Sequence, residues 1–174
     1  EGAFRPTHFD GVATVVLKLF NILPSSHAFF GRKDYQQLKV IEAVVRDINV
    51  PVEVMGCPIV RESDGLAMSS RNRYLDSAQR DRALRISASL QTVHRAFLDG
   101  ERAVSSLEKV LHRELKTGHP EGVDEVEYAT IVDGQTLDPI SVVDRQAVAL
   151  VAARVGTTRL IDNQILTIGG ANDD

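Results

Sequence analysis

The sequence has few of the features that extracellular, membrane or nucleic-acid-binding proteins need. Its 174 residues include one cysteine, Cys57, so an internal disulfide is excluded, which suits a reducing compartment. The apolar flanks of Cys57 favour a buried structural thiol over a reactive one. A run of the ~20 apolar residues that span a bilayer is missing, as is a secretion signal. A formal charge of -4 argues against nucleic acid as a main partner. We therefore expect a cytoplasmic protein without a membrane or nucleic-acid partner.

Apolar periodicity in the first third of the chain predicts one strand-helix-strand unit. A hydrophobic content of 43% is enough to bury a core in one domain or slightly more. Apolar residues recur at helical spacing over residues 11–23 and 34–48, and short apolar runs at 27–30 and 52–57 are typical of strands. Such a βαβ unit is parallel, and ligands collect beyond the carboxyl ends of its strands. Residues 31–37 and the loop after Cys57 would lie there.

The composition changes after Pro58, and we place a domain boundary near Ile59, giving domains of residues 1–59 and 60–174. A polar loop, residues 60–73, is followed by patterns typical of helices at 76–98 and 102–116 and of strands at 125–132, 147–153 and 158–168. The segment Val155-Gly156-Thr157 is short enough for a hairpin between the last two strands. The second domain is thus predicted to be a smaller α+β lobe with an antiparallel sheet, and its tail, residues 169–174, to be disordered.

The segment from Met68 to Tyr74 carries two serine hydroxyls and two guanidiniums just before a predicted helix. Arginine offers a planar fork of donors to phosphate oxygens, serine adds short hydrogen bonds, and a helix start supplies unpaired N–H groups. This pattern favours a polyphosphate site. A solvated loop, or a helix cap formed by Asp76 or Ser77, is the alternative.

A second candidate segment, residues 29–37, runs from two phenylalanines through Gly31 into polar residues. A nucleotide site in an open α/β sheet is built at such a position. The alternative is a simple strand-to-helix turn in which Gly31 relieves backbone strain and Asp34 caps the next helix.

Together with residues 5–16, Arg-Pro-Thr-His-Phe-Asp-Gly-Val-Ala-Thr-Val-Val, the two segments match in order and spacing a known family. The chain resembles the pantothenate synthetases, which join pantoate to β-alanine. The resemblance implies a partial Rossmann-like nucleotidyltransferase sheet followed by a lid domain, ATP as a substrate with Mg²⁺, and a homodimer. It also implies an upstream His-x-Gly-His motif, a spacing that the five histidines here do not show. We therefore expect the chain to be the C-terminal part of such an enzyme, weakly active or inactive alone.

The resemblance also implies roles for individual residues. Lys33 would stabilise the negative charge that develops on the α-phosphate, Asp34 would hold a ribose hydroxyl, and Gln37 would bind pantoate. Ser69, Ser70 and Arg71 would grip the phosphates. The catalytic set implied by the resemblance is Lys33, Ser69, Ser70 and Arg71. The implied ATP contacts are Gly31, Arg32, Lys33, Asp34, Val60, Met68, Ser69, Ser70 and Arg71. No metal ligand is predicted.

Each of these roles has a simpler alternative. Lys33 and Gln37 could be solvated surface residues, and Met68 and Val60 could pack in a core. Arg32 departs from the family pattern, in which a glutamate is expected after Gly31. Two other functions also stay open: another adenylyl or cytidylyl transferase on the same scaffold, or a non-catalytic lobe that folds, dimerises or binds nucleotide weakly.

Overall fold

The computed structural model describes residues 2, 5–117 and 122–169. The chain divides into two compact units, Glu1–Ile59 (unit 1) and Val60–Asp174 (unit 2). The predicted disordered tail lies outside the described residues, except for Gly169.

Unit 1 contains the predicted strand-helix-strand arrangement. Its elements are α1 (His8–Ile22), β1 (His27–Gly31), a 3₁₀ helix (Arg32–Asp34), α2 (Tyr35–Asp47) and β2 (Glu53–Cys57). The strands β1 and β2 pair in parallel, with His27 opposite Glu53 and Gly31 opposite Cys57. The apolar face of α2 is buried through Tyr35, Leu38 and Ile41. The βαβ prediction is therefore confirmed.

Helix α1 differs from α2 in the exposure of its apolar side chains. Its sequence has helical periodicity, yet none of its 15 residues, all of which the structure describes, is buried. Val15 is 52% exposed and Leu19 is 48% exposed. Periodicity thus predicted the helix correctly, but the burial of its apolar face does not occur within unit 1.

Unit 2 packs two long helices against an antiparallel sheet. Its elements are a 3₁₀ helix (Ser70–Tyr74), α3 (Ser77–Leu98), α4 (Val104–Lys116), β3 (Glu125–Asp133), β4 (Ala147–Val155) and β5 (Thr158–Leu166). The strand order is β3-β4-β5, and the predicted hairpin joins β4 to β5, with Gly156 and Thr157 as its turn and Val155 already in β4. Gly156 has a φ of 57°, which a glycine adopts without strain. The predicted α+β lobe is confirmed.

The core of unit 2 follows from the spacing of its apolar residues. Leu107, Leu111 and Leu115 recur every four residues along α4 and are fully buried. They pack with Ile86, Leu90 and Phe97 of α3 and with alternate residues of β4, which face the helices. The helices and the sheet thus share one hydrophobic core, which also includes Leu66 of the loop of residues 60–76.

Helices long and apolar enough to cross a membrane are not found among the described residues.

Candidate functional site

The candidate segment of unit 1 lies at the carboxyl ends of both parallel strands. Gly31 is the last residue of β1 and is paired with Cys57, the last residue of β2. Lys33 and Asp34 follow in the 3₁₀ helix, and Gln37 lies in the first turn of α2. The predicted residues of this segment are therefore brought together at the edge where open α/β sheets bind ligands.

Gly31 does not relieve strain in this turn. Its φ of -68° and ψ of 128° are ordinary extended values that any residue can adopt. A Cβ added at this position would meet no atom within 4 Å. The strain-relief interpretation of Gly31 is therefore wrong, and unit 1 leaves open space where a side chain would otherwise stand.

Arg32 lies across the neighbouring strand. A Cβ added to Gly56 of β2 would come within 3.2 Å of the Arg32 Nε atom and 3.3 Å of its Cγ atom. The glycine in β2 therefore lets the Arg32 side chain pack flat on the end of the sheet. Arg32, which stands where the family pattern has a glutamate, is thus accommodated within unit 1.

Asp34 occupies the N-cap position of α2, but its side chain makes no capping hydrogen bond. The residue is exposed, whereas Lys33 and Gln37 are both half-buried. The alternative in which the Asp34 carboxylate caps the helix is therefore wrong. The alternative of fully solvated Lys33 and Gln37 side chains is not what the structure shows either.

The candidate loop of unit 2 begins with a short hairpin, residues 60–68. The Met68 N–H donates to the Val60 carbonyl at 2.9 Å, and the Glu62 N–H donates to the Leu66 carbonyl at 2.8 Å. Gly65, with a φ of 94°, allows the turn between the two arms. Val60 and Met68 are 62% and 55% exposed, so the alternative in which they pack in a core is wrong. The hairpin instead brings these two apolar side chains together at the surface.

The arginines of this loop differ in their partners. Arg61 forms a two-pronged ion pair with Asp162 of β5, at 2.8 and 3.2 Å. Arg73 stacks on the Tyr74 ring, with its guanidinium carbon 4.8 Å from the ring centroid. The guanidinium of Arg71, by contrast, is exposed and has no partner among the residues that the structure describes. Arg71 is therefore the arginine of this loop that is open to an anion.

The serines beside Arg71 also differ. The Ser69 hydroxyl accepts the Arg71 backbone N–H at 3.2 Å and so caps the 3₁₀ helix, whereas Ser70 is exposed. Helix α3 starts later and is capped by Asp76, which accepts from the Gln79 N–H while the Gln79 side chain accepts from the Asp76 N–H. Of the two residues that could have capped this helix, Asp76 is the N-cap, whereas Ser77 is the first residue of α3. The expectation that the start of α3 helps to hold a phosphate is weakened, because a carboxylate already occupies it.

A concavity of about 700 Å³ lies elsewhere in unit 1. Its lining includes Ser26 and Val52, which immediately precede β1 and β2. It therefore lies at the amino ends of the strands, whereas the candidate segment lies at their carboxyl ends. Its size does not make it the candidate site, because none of the predicted site residues lines it.

The contacts that hold the unit 2 loop in place were not predicted. Glu62 and Asp64 of the hairpin bind Arg80 of α3, and Asn72 binds Glu62. Arg61 and Asp162 are 101 positions apart. Local patterns cannot reveal such a pair, although the run of charges in residues 61–64 was a signal that partners must exist.

The fold and the location of these residues define a class: a two-unit α/β protein whose candidate site residues lie on loops at strand and helix ends. The chain belongs to the pantoate-beta-alanine ligase family, whose model matches residues 1–165. The resemblance seen in the sequence is therefore confirmed.

Individual relatives agree with the family match. The chain is 58% identical to the pantothenate synthetase of Rhodopirellula baltica over 168 residues, which is 97% of this chain and 58% of that protein. Similarity to the crystal structure of pantothenate synthetase from Thermus thermophilus has a TM-score of 0.87 at 42% identity, covering 94% of this chain and 58% of that one. The chain thus spans little more than half the length of the curated relatives it matches.

A more distant solved structure is that of a complex with ligands. It is the pantoate-beta-alanine ligase of Francisella tularensis complexed with beta-gamma ATP and beta-alanine. It is 27% identical to this chain, with a TM-score of 0.62, and the match covers 94% of this chain and 52% of that one.

Proposed function

We propose that this chain supplies part of the machinery for the ATP-dependent condensation of (R)-pantoate with β-alanine to pantothenate. Membership of the family and the names of the relatives support the reaction. The ATP and beta-alanine bound to the Francisella tularensis relative support the substrates. Because the chain spans only 58% of the Rhodopirellula baltica protein, the full reaction is proposed for a protein that contains this chain rather than for the chain alone.

The observation that carries the proposal is the open guanidinium of Arg71. Arg61 and Arg80 are engaged in ion pairs and Arg73 is stacked, whereas Arg71 has no partner among the described residues. An exposed arginine beside the Ser70 hydroxyl has the donors that phosphate oxygens require. The exposed pair Val60 and Met68 adds an apolar surface suited to a purine ring.

The first chemical step is transfer of the adenylyl group to pantoate. A pantoate carboxylate oxygen attacks the α-phosphorus of ATP, the bond to the β-phosphate oxygen breaks, and pyrophosphate leaves with the electron pair. Negative charge grows on the phosphate oxygens during this step. A fixed ammonium at Lys33 and the donors of Ser69, Ser70 and Arg71 would stabilise that charge more than the ground state. Asp34 would hold the ribose and Gln37 the pantoate, while the missing side chain at Gly31 leaves room for the nucleotide.

The second step consumes the acyl adenylate. The β-alanine amine attacks the activated acyl carbon, the bond to the phosphate oxygen breaks, and AMP leaves while the new amide loses a proton. Binding the reactants in the correct orientation accounts for much of such an acceleration. The intermediate must be protected from water, and unit 2 is proposed to do this as a lid domain. Unit 1 is proposed to be part of the nucleotide-binding domain.

Mg²⁺ is proposed as part of the nucleotide substrate. A cluster of three or more His, Cys, Asp or Glu side chains able to hold a metal is not found in residues 2, 5–117 and 122–169. In this proposal the ion would enter with the nucleotide, whose phosphate oxygens Arg71 and its neighbours would hold. A homodimer and a cytoplasmic location are proposed on the family resemblance.

Calorimetry with Mg-ATP tests the nucleotide role on this chain alone. We expect weak but measurable binding, and we expect Arg71→Ala to raise Kd about tenfold or more, the effect of removing a charge-assisted contact. Arg73→Ala is the matched control, since its guanidinium is already stacked on Tyr74. Absence of heat in the wild type would favour the non-catalytic alternative, and equal losses in the two variants would remove the role of Arg71.

Product analysis tests the reaction itself. We expect the chain alone to release little or no AMP, and any release to require both pantoate and β-alanine. Pyrophosphate release that does not require pantoate would identify a different adenylyl or cytidylyl transferase.

A further inference from the structure

The hairpin of residues 60–68 and the 3₁₀ helix that follows it are attached to the rest of unit 2 through side chains. Within the hairpin the main chain forms an isolated antiparallel bridge between Arg61 and Ala67. The sheet of unit 2, in contrast, consists of β3, β4 and β5. The position of Arg71 relative to this sheet therefore depends on contacts made by the loop's side chains.

The first attachment is to β5. The Arg61 guanidinium donates to both oxygens of Asp162, whose side chain is only 2% exposed, and also to the Gly65 carbonyl at 3.1 Å. One arginine thus joins the first arm of the hairpin, its turn and the sheet. Two-pronged pairing of this kind fixes orientation as well as distance.

The second attachment is to α3. The Arg80 guanidinium donates to Asp64 at 2.7 Å and to Glu62 at 2.5 Å. The other Glu62 oxygen accepts from the Asn72 side-chain amide at 2.5 Å, and the same amide nitrogen donates to the Ala67 carbonyl at 3.1 Å. Hydrogen bonds from Asn72 and Arg80 lower the pKa of Glu62, so this carboxylate is ionised at neutral pH.

Asn72 is the residue next to Arg71, and it is 5% exposed. Its amide nitrogen has two acceptors, while its Oδ1 atom is buried without a partner among the described residues. An unpaired buried acceptor is unfavourable. The amide nevertheless keeps this orientation, because its nitrogen donates to both Glu62 and the Ala67 carbonyl. These two hydrogen bonds hold the backbone next to Arg71.

We propose that Arg80 and Asn72 are positioning residues which, through Glu62, hold the 3₁₀ helix in the place where the exposed Arg71 guanidinium can bind the anionic part of the substrate. This inference rests on the proposed nucleotide role of Arg71. A loop held in its binding conformation before the ligand arrives loses less conformational entropy on binding, so the clamp raises affinity without touching the ligand.

A merely stabilising role does not explain the arrangement as well. Ion pairs that are taken partly out of water contribute little net stability, and apolar residues of similar volume often replace them without loss. The side chains of Arg80, Glu62 and Asp64 are all about 70% buried, with 31%, 28% and 29% exposure. The network instead fixes the position of Asn72, the residue next to Arg71.

The chain offers a matched control on the same helix. Arg82 of α3 also forms an ion pair, with Asp124, and is 21% exposed. Asp124 lies just before β3 and also accepts from the Gly156 N–H, so this pair does not contact the hairpin. Arg82→Gln therefore removes a similar ion pair and leaves the loop attachments intact.

The experiment compares Arg80→Gln, Arg80→Lys and Arg82→Gln in the full 174-residue chain by hydrogen exchange and by calorimetry with Mg-ATP. We expect Arg80→Gln to accelerate exchange of the Glu62, Met68 and Asn72 amides about tenfold or more, while amides between β4 and β5 keep their protection. Affinity for Mg-ATP should fall about tenfold, and Arg80→Lys, which keeps the charge but not the fork, should give an intermediate loss.

Arg82→Gln should leave both the loop amides and the affinity unchanged. If Arg80→Gln behaves like Arg82→Gln in either measurement, the positioning role is overturned. Failure of the proposed function looks different: the wild type would then give no heat with Mg-ATP, whatever the exchange rates of the loop. A loss of protection throughout unit 2 in Arg80→Gln would assign Arg80 to global stability and would also overturn the inference.

Discussion

Units 1 and 2 differ in where their apolar side chains lie. In unit 2 the apolar faces of α3, α4 and the sheet meet in one continuous core, with Leu107, Leu111 and Leu115 fully buried. In unit 1 the helix α2 buries three residues, whereas α1 buries none and leaves Leu19 at 48% exposure. Helical periodicity therefore accompanies different degrees of burial within the residues that the structure describes.

The two candidate segments differ in a related way. Residues 31–37 continue directly from a strand into a helix, so regular main-chain structure holds them. Residues 60–71 lie outside the sheet and are held by ion pairs to α3 and β5 and by Leu66, which is buried in the core. A site residue can thus be placed by secondary structure alone or by long-range side-chain contacts, and the second kind is sensitive to charge and pH.

The largest expected effect tests the difference between the two cores. Leu107→Ala should lower the free energy of unfolding of unit 2 by about 3 kcal/mol, because it leaves a cavity at a fully buried position. Leu19→Ala, the same chemical change at an exposed position of α1, should change the stability of unit 1 by less than about 0.5 kcal/mol.

Urea titrations followed by NMR provide the measurement, with signals from β4 and from α1 reporting on each unit. Similar losses from the two substitutions would mean that the apolar face of α1 is packed as tightly as that of α4, and the comparison would fail.

Acid should have the next effect, and it acts on ionised carboxylates of unit 2, both in the loop and at the end of β3. The hydrogen bond from Arg80 lowers the pKa of Asp64 below its ordinary value of 3.8. The backbone N–H of Thr136 and the side chain of Arg145 likewise lower the pKa of Asp133. A lowered pKa in the folded state means that the unfolded chain binds protons first, so the stabilisation is complete above the ordinary pKa and is lost as pH falls through the folded value.

We therefore expect the urea midpoint of unit 2 to be constant near neutral pH and to decline below about pH 5. Asp133→Asn should make this decline shallower, because it removes one carboxylate whose protonation opposes folding. A midpoint that does not respond to acid, or an unchanged slope in the variant, would contradict the ionic description of unit 2.

The elements with local periodicity could be predicted from the sequence. The apolar spacing of α2 and the short apolar run of β2 predicted the βαβ unit, and the short segment Val155-Gly156-Thr157 predicted the hairpin of the second sheet. Both depend on neighbours within a few residues, where propensity and periodicity are informative. The family resemblance was carried by the two candidate segments together with residues 5–16, most of which lie in α1.

The remaining features depend on contacts that no local pattern encodes. Arg61 and Asp162 come from opposite ends of unit 2, and Arg80 binds a hairpin that precedes its own helix. Met68 and Val60 are apolar, so their residue type favoured a core, yet the hairpin exposes both. The short 3₁₀ helices that contain many of the candidate residues were also missed, since three to five residues carry too little periodicity.

The smallest effect comes from two glycines at the same end of unit 1. Gly56→Ala should destabilise unit 1 by about 1 kcal/mol, because the new Cβ would lie 3.0 Å from the buried Leu38 side chain and would displace Arg32. Gly31→Ala should leave stability unchanged or raise it by up to about 0.5 kcal/mol, since the backbone there suits alanine and its Cβ meets nothing.

The same pair separates folding from ligand binding at the carboxyl ends of β1 and β2. If the open space at Gly31 admits a nucleotide, Gly31→Ala weakens Mg-ATP binding while its urea midpoint stays at or above that of the wild type. Gly56→Ala should instead lower the urea midpoint, and it should reduce the affinity for Mg-ATP only to the extent that the Arg32 side chain is displaced. A Gly31→Ala protein that binds Mg-ATP as well as the wild type would mean that this space serves no ligand, and the role of Gly31 would then have to be withdrawn although the fold around it is correct.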